Sequence, residues 1–160
     1  MRRQFTFILS LLISSTLFCF AVLPQRPAAD PGAPDQSESL KVSKDPDFIV
    51  RNFKTMYVNA EDAKFFDSNL MKAALGRNKD FARLNIRIVD DPHVADVVLV
   101  VSYTFAWEYP FELRHQNTTA VLLAGKGIGP FSGPAGAASV ASEFVSLAKP
   151  FRIASGQQQK

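Results

Sequence analysis

The chain has 160 residues, 47% of them hydrophobic, and a formal net charge of +3 from 18 Lys plus Arg against 15 Asp plus Glu. From residue 31 onward the balance falls to +1, 15 basic against 14 acidic side chains, which leaves no concentrated positive field for a nucleic-acid backbone. The one cysteine, Cys19, lies in the first apolar run, so everything after that run lacks a disulfide, a thiol nucleophile and a cysteine-ligated metal.

Arg2 and Arg3 precede nineteen uncharged residues, 5–23. A basic head followed by an apolar core is what the secretion machinery reads, so residues 1–23 are expected to be a signal peptide or a membrane anchor, with the remainder delivered to the periplasm or the exterior. Ala21, with Cys19 two residues before it, offers one cleavage site, and Ala29 after Pro27 and Ala28 offers a poorer one. An uncleaved helix is the alternative, and it would be the chain's only membrane contact. A lipid attached at Cys19 is disfavoured by the bulky Leu17 and Phe18 before it. Residues 24–47 carry Pro24, Pro27, Pro31, Pro34 and Pro46 among polar side chains, with too little apolar surface to offset the entropy of ordering. They are expected to form a disordered tether whose root-mean-square span is about 25–30 Å.

The folded part is expected at residues 48–153, with a loose tail at 154–160. Residues 48–58 are rich in β-branched and aromatic side chains and predict a first strand. Asp67 is placed to cap a helix whose stripe is Leu70, Met71, Ala74 and Leu75, and Gly76 to end it. Residues 85–90 predict a short strand, and Asp91 before Pro92 a capped single turn. Residues 97–107 predict the central strand, apolar on both faces at its start and alternating from Ser102, with Pro110 marking a bend or an edge. Residues 111–115 and 119–127 then form a hairpin across a turn at 116–118. A glycine-rich loop leads to a final helix with the stripe Val140, Phe144 and Leu147, closed by Pro150. The sum is an α+β fold: a mixed sheet of about five strands with two helices packed on one face, in the order β-α-β-β-β-β-α.

Residues 94–101, Val-Ala-Asp-Val-Val-Leu-Val-Val, following a helix and a short strand, resemble a step in the amino-terminal domain of TolB and in related curli-secretion-type envelope domains. The strand end Ala124-Gly125-Lys126 and the alanine-rich last helix resemble small exported proteins of soil bacteria. The resemblance spans about residues 53–151. It implies a non-catalytic assembly or partner-binding role with an envelope protein, and brings no catalytic residue with it.

Chemistry-bearing side chains are sparse. Asp90, Asp91, His93 and Asp96 place three carboxylates and an imidazole within seven positions, enough in principle for a cation or an acid/base pair, but Asp before Pro is first of all a turn cap. Glu112 and His115 differ in strand parity and should face opposite ways. Ser132 lacks the spacing of a nucleophile elbow, and Ser146 with Lys149 makes a serine-x-x-lysine pair without its companion motifs. The stretch 125–136, from Gly125 to Gly136, matches neither phosphate-binding fingerprint, so no cofactor and no metal are expected. Asn117-Thr118-Thr119 is a glycosylation sequon by letter and reads better as a hairpin tip.

The alternating aromatics Tyr103, Phe105, Trp107, Tyr109 and Phe111 are the strongest binding candidate, with Trp107, Tyr109 and Phe111 expected to present a patch near the bend at Pro110; the alternative is that the run packs into the core, where most of the chain's 14 Phe must lie. The leading expectation is therefore an exported cell-envelope protein with a non-catalytic partner-binding domain. The alternative is a small envelope hydrolase or ligand-binding domain using the turn at 91–96 or the loop at 125–136.

Overall fold

A computed structural model describes residues 45–130 and 132–156, with side chains through Arg152. The expected leader at 1–23, residues 24–44 of the tether expected at 24–47 and the last four residues of the expected tail lie outside the described residues. Three helices and five strands follow in the order α1 (Pro46–Asn52), β1 (Thr55–Asp62), α2 (Ser68–Arg77), β2 (Arg87–Val89), β3 (Val97–Ser102), β4 (Glu108–His115), β5 (Val121–Ile128) and α3 (Gly133–Gly156). The strands make one mixed sheet in the order β2-β1-β3-β4-β5. β1 runs parallel to β2 and β3, whereas β4 is antiparallel to both β3 and β5. This is an α+β fold with a five-stranded mixed sheet; the helices number three rather than two, and the first element is a helix.

That first helix corrects the expectation of a strand from residue 48, and it takes in Pro46 and Asp47 from the end of the span expected as tether. The Asp45 carboxylate accepts from the Asp47 N–H at 3.1 Å, and Pro46 occupies the first turn, where its missing donor costs nothing. Ile49 and Phe53, one turn apart, are both buried. A β-branched composition carried less weight here than the Asp-Pro start signal. α2 forms as expected: Asp67 accepts from the Leu70 N–H at 2.8 Å, and Met71 and Leu75 are buried. The helix runs one residue past Gly76 to Arg77.

The central strand ends five residues before the expected position, and Pro110 supplies the reason. The Gln116 N–H donates to the Asp96 carbonyl at 3.1 Å, so alternation points the even-numbered N–H groups of β4 toward β3. Pro110 is the even position that has none. The β3–β4 ladder accordingly stops at Val101↔Phe111, and residues 103–107 leave the sheet as a turn containing a 3₁₀ segment, Phe105–Trp107. The β4–β5 hairpin forms as expected, with a register shift beside Leu113.

α3 corrects two further expectations. It starts at Gly133, inside the stretch expected to be a loop, and passes through Pro150 to Gly156, where a helix end and a loose tail were expected. Beyond the proline, Arg152 donates to the carbonyls of Leu84, Val50 and Phe53, and these bonds hold the last turns against the domain. The helix lies almost on the backbone of β5. A Cβ on Gly127 would come within 2.7 Å of the Val140 nitrogen, and one on Gly129 within 2.2 Å of Gly136 Cα. The glycines expected to form a connecting loop thus permit close packing of strand against helix.

Register places Met56, Val58, Val97, Leu99, Phe111 and Leu113 on one sheet face. They join Ile49, Met71, Leu75, Val140 and Phe144 of the three helices in a single buried cluster. The opposite face carries half-buried Tyr57, Val98 and Val100 with the Glu112–Arg114 ion pair at 2.7 Å.

Candidate functional site

The carboxyl ends of the parallel strands β1 and β3 lie side by side, Asp62 opposite Ser102, and the two loops that leave them meet. The Tyr103 N–H donates to the Asp62 carbonyl at 3.0 Å, which brings residues 63–67 against residues 103–107. Ligand sites on open sheets with parallel strands favour such strand ends. Here the loops carry aromatic rings rather than acids or nucleophiles.

Phe65 packs edge-on against Tyr103 with ring centroids 5.1 Å apart, and against Trp107 at 4.9 Å. Tyr103 in turn touches Tyr109 at 5.6 Å, and Tyr109 touches Phe66 at 4.9 Å, so the surface rings continue into the core. The Lys64 ammonium lies 5.6 Å from the Phe65 centroid and 5.4 Å from that of Tyr103, a cation–π contact over the outer rings. Beside the stack a groove of about 520 Å³ runs past Glu61, Lys64, Phe65 and Leu70.

Backbone geometry marks the same loops, as it also marks Asn85 and Thr119 elsewhere. Lys64, Ala106 and Trp107 have φ of 60°, 67° and 63°, left-handed values that side chains seldom adopt. The Thr104 N–H closes a tight turn on the Glu108 carbonyl at 2.9 Å, and the Gly129 N–H fastens the Trp107 carbonyl at 3.2 Å. Held at both ends, the turn drives Trp107 back onto Phe65 and leaves Phe105 outside with 92% of its surface exposed. Ordering an exposed ring in this way costs about 1–3 kcal/mol of backbone strain, a pattern concentrated at functional sites.

Of the three residues expected to form a binding patch, the structure leaves Trp107 half-buried against Phe65 and places Tyr109 and Phe111 in the core, at 0% and 1% exposure. Odd positions of β4 face the helices, so Tyr109 and Phe111 cannot present themselves to a partner; Trp107 escapes because the turn lies outside the sheet. Phe65 and Lys64 were missed in the sequence. The available signal was Lys64-Phe65-Phe66 wedged between the end of a strand and the helix cap Asp67.

The polar candidates are engaged in local structure. Asp91 accepts from the His93 N–H at 2.8 Å and caps its 3₁₀ turn, Pro92–Val94, with His93 exposed on it. Asp96 points elsewhere: its Oδ2 accepts from the N–H groups of Lys54 and Thr55 at 2.8 and 2.9 Å. Asp90 pairs with Lys72. His115 is buried, its Nδ1 2.9 Å from Thr118 Oγ1, while Glu112 pairs with Arg114 two residues along the same strand. Ser132 Oγ accepts from the Ala135 N–H at 3.2 Å in the first turn of α3, and Lys149 reaches Asp80 at 3.2 Å. Among the described residues no group of three or more His, Cys, Asp or Glu is arranged to hold a metal ion, and no helix is long and apolar enough to cross a membrane.

Compared with protein-family models, with curated proteins and with solved structures, the chain matched none.

Proposed function

We propose that this is an exported cell-envelope protein, periplasmic or secreted, whose α+β domain binds a protein partner without catalysis. The observation that carries the reading is Phe105, 92% exposed on a strained turn whose backbone is fastened at both ends beside the Phe65–Tyr103–Trp107 stack. An exposed ring gains about 1.5–3 kcal/mol when a partner buries it, and a backbone already held in place lowers the ordering cost that would reduce that gain. The basic head and apolar run at residues 2–23 support export, and the likeness of residues 94–101 to TolB-type envelope domains supports an assembly role. Hydrolysis at the 91–96 turn has less support, because Asp91 and Asp96 are engaged by separate stretches of backbone.

A photo-crosslinking residue at position 105, with the same residue at exposed Ala73 on α2 as control, tests the contact in intact cells. The expected result is a discrete adduct with an envelope protein at 105 that is absent at 73. No adduct at 105, or the same adducts at both positions, removes the rim from the reading. A reporter fused after Lys160 that is active only in the cytosol removes the export step.

A further inference from the structure

The aromatic rim carries a charge of its own. Residues 60–70 and 102–107 hold three exposed carboxylates, Glu61, Asp62 and Asp67, against one cation, Lys64, a net of −2. Glu61 and Asp62 enter no ion pair with a described residue, and Asp67 caps α2 through the Leu70 N–H. Glu108, just past the turn, is neutralised by Lys126 at 2.7 Å.

Cations elsewhere in the domain do not offset this charge. Arg51, Lys54, Arg77 and Arg87 are exposed and enter no ion pair with a described residue, but topology puts them at the opposite end. Lys54 and Arg87 stand at the amino ends of β1 and β2, joined by the bond from the Arg87 N–H to the Lys54 carbonyl at 2.8 Å. Arg51 lies in the last turn of α1 before them, and Arg77 ends the helix that Asp67 begins at the rim. The eight residues of β1 span about 26 Å, some three Debye lengths at physiological salt, so the two ends scarcely feel each other.

The rings already hold a cation. The Lys64 ammonium lies 5.6 Å from the Phe65 centroid and 5.4 Å from that of Tyr103, drawn by the negative ring faces. Phe65 keeps 41% of its surface exposed and forms one wall of the 520 Å³ groove, with Leu70 beside it and the carboxylates of Glu61 and Asp67 on the lip. An apolar wall edged by carboxylates suits a long basic side chain, whose methylenes cover the wall while its head reaches the acids.

We infer that the partner segment received at this rim is basic: an arginine or lysine lays its stem along Phe65 and Leu70, brings its head to Glu61 and displaces the Lys64 ammonium from the rings, while an apolar neighbour covers Phe105. The inference rests on the reading of the rim as a partner site and adds the sign of charge that the site selects. Arginine fits better than lysine, because its planar head can stack on a ring and pair with a carboxylate together. An acidic segment meets a net negative rim and is turned away.

Trp107 is the chain's single tryptophan and touches Phe65, so its emission reports on the groove. The full chain in mild detergent is titrated with the hexapeptide acetyl-Leu-Arg-Leu-Leu-Arg-Leu-amide and with its counterpart carrying Glu for Arg. The basic peptide is expected to shift the emission saturably, with an affinity that falls as salt rises, and the acidic one to leave it unchanged. Glu61→Gln combined with Asp62→Asn should weaken the basic peptide about fivefold with circular dichroism retained. Glu143→Gln, about 15 Å down α3, should change nothing. Lys64→Met should strengthen binding about twofold or more, because it clears the ring faces and removes the resident positive charge. Should the double variant fail to fold, Glu61→Gln decides alone. No saturable shift, an equal response to both peptides, undiminished affinity on loss of the carboxylates, or weaker binding in Lys64→Met overturns the inference. An adduct at position 105 in cells leaves the rim reading standing through that failure. A successful titration without an adduct at 105 does the reverse: the groove selects cations, and the protein partner is removed.

Discussion

The guanidinium of Arg152 lies 4.6 Å from the ring centroid of Phe53, and the same group donates to the Phe53 carbonyl at 3.0 Å. It also donates to the carbonyls of Val50 at 3.1 Å and Leu84 at 2.7 Å. One side chain thereby ties the end of α3 to the carboxyl end of α1, where a cation is favoured by the helix dipole, and to the turn before β2. Burial lowers its pKa from the ordinary arginine value, but the group stays charged at neutral pH. Arg152→Met would strand three carbonyls and remove the stacking. The expected loss is about 2–4 kcal/mol, read as a fall in the urea midpoint with the slope unchanged. Arg152→Lys should recover only part of it, because a single ammonium cannot span three acceptors and a ring. Full recovery by lysine would show that charge alone was responsible.

Two glycines should respond to alanine in opposite directions. At Gly129 an added Cβ would fall 2.2 Å from Gly136 Cα and nitrogen, backbone atoms that cannot step aside without moving α3 off the sheet. Gly129→Ala is expected to cost about 3 kcal/mol or more, beyond the usual range for a single methyl. Gly76, in the last turn of α2, has nothing within 4 Å of its Cβ position, so Gly76→Ala should stabilise the protein by about 0.5–1 kcal/mol through helix propensity and a less flexible unfolded chain. Thermal unfolding of the pair checks both signs, and equal effects would contradict the packing described for α3.

The same glycines show where the sequence was legible and where it was not. Signals confined to a few neighbouring residues read correctly: Asp67 capping α2, Asp91-Pro92 capping its turn, and the β4–β5 hairpin. Long-range packing did not. Nothing local distinguishes a glycine needed for close approach, as at Gly127 and Gly129, from one in a mobile loop. Pro150 reads as a terminator until Arg152 is seen bound to three carbonyls far away in the chain. In the aromatic run, period-2 alternation correctly set Tyr109 and Phe111 on one face, but that face is the one α3 covers. Only the interruption of the ladder at Pro110, a consequence of which neighbour each N–H meets, separated Trp107 from the other two.

Tyr109 holds a buried hydroxyl with no hydrogen-bond partner among the described residues. Such a group costs about 1–3 kcal/mol, so Tyr109→Phe should leave stability at neutral pH unchanged or raise it by about 1 kcal/mol. Burial, with a smaller contribution from Tyr103, raises the phenol pKa above its ordinary value of 10.0. The folded state thus keeps this proton when the unfolded chain has lost it. Ionisation of the phenol takes nothing from stability below pH 10.0, and above that value stability falls as pH rises toward the raised folded pKa. Tyr109→Phe removes this slope, and its alkaline unfolding midpoint should lie higher than that of the unsubstituted chain. Parallel alkaline titration curves for the two proteins would show that Tyr109 ionises as freely folded as unfolded.

Ala106 separates strain from function at the rim. Its φ of 67° places a methyl group in the left-handed region, at a cost of about 1–2 kcal/mol that glycine would not incur. Glycine returns part of this as unfolded-state entropy, leaving an expected net gain of about 0.5–1 kcal/mol for Ala106→Gly. Its effect on binding should have the opposite sign. A glycine lets the turn sample other conformations, so Phe105 is no longer held in one place and must be ordered when a partner arrives. The double readout is a higher melting temperature together with a lower yield of the position-105 adduct. A rise in both would mean that the strained turn has no part in recognition, and a fall in melting temperature would mean that the alanine methyl packs against the fold.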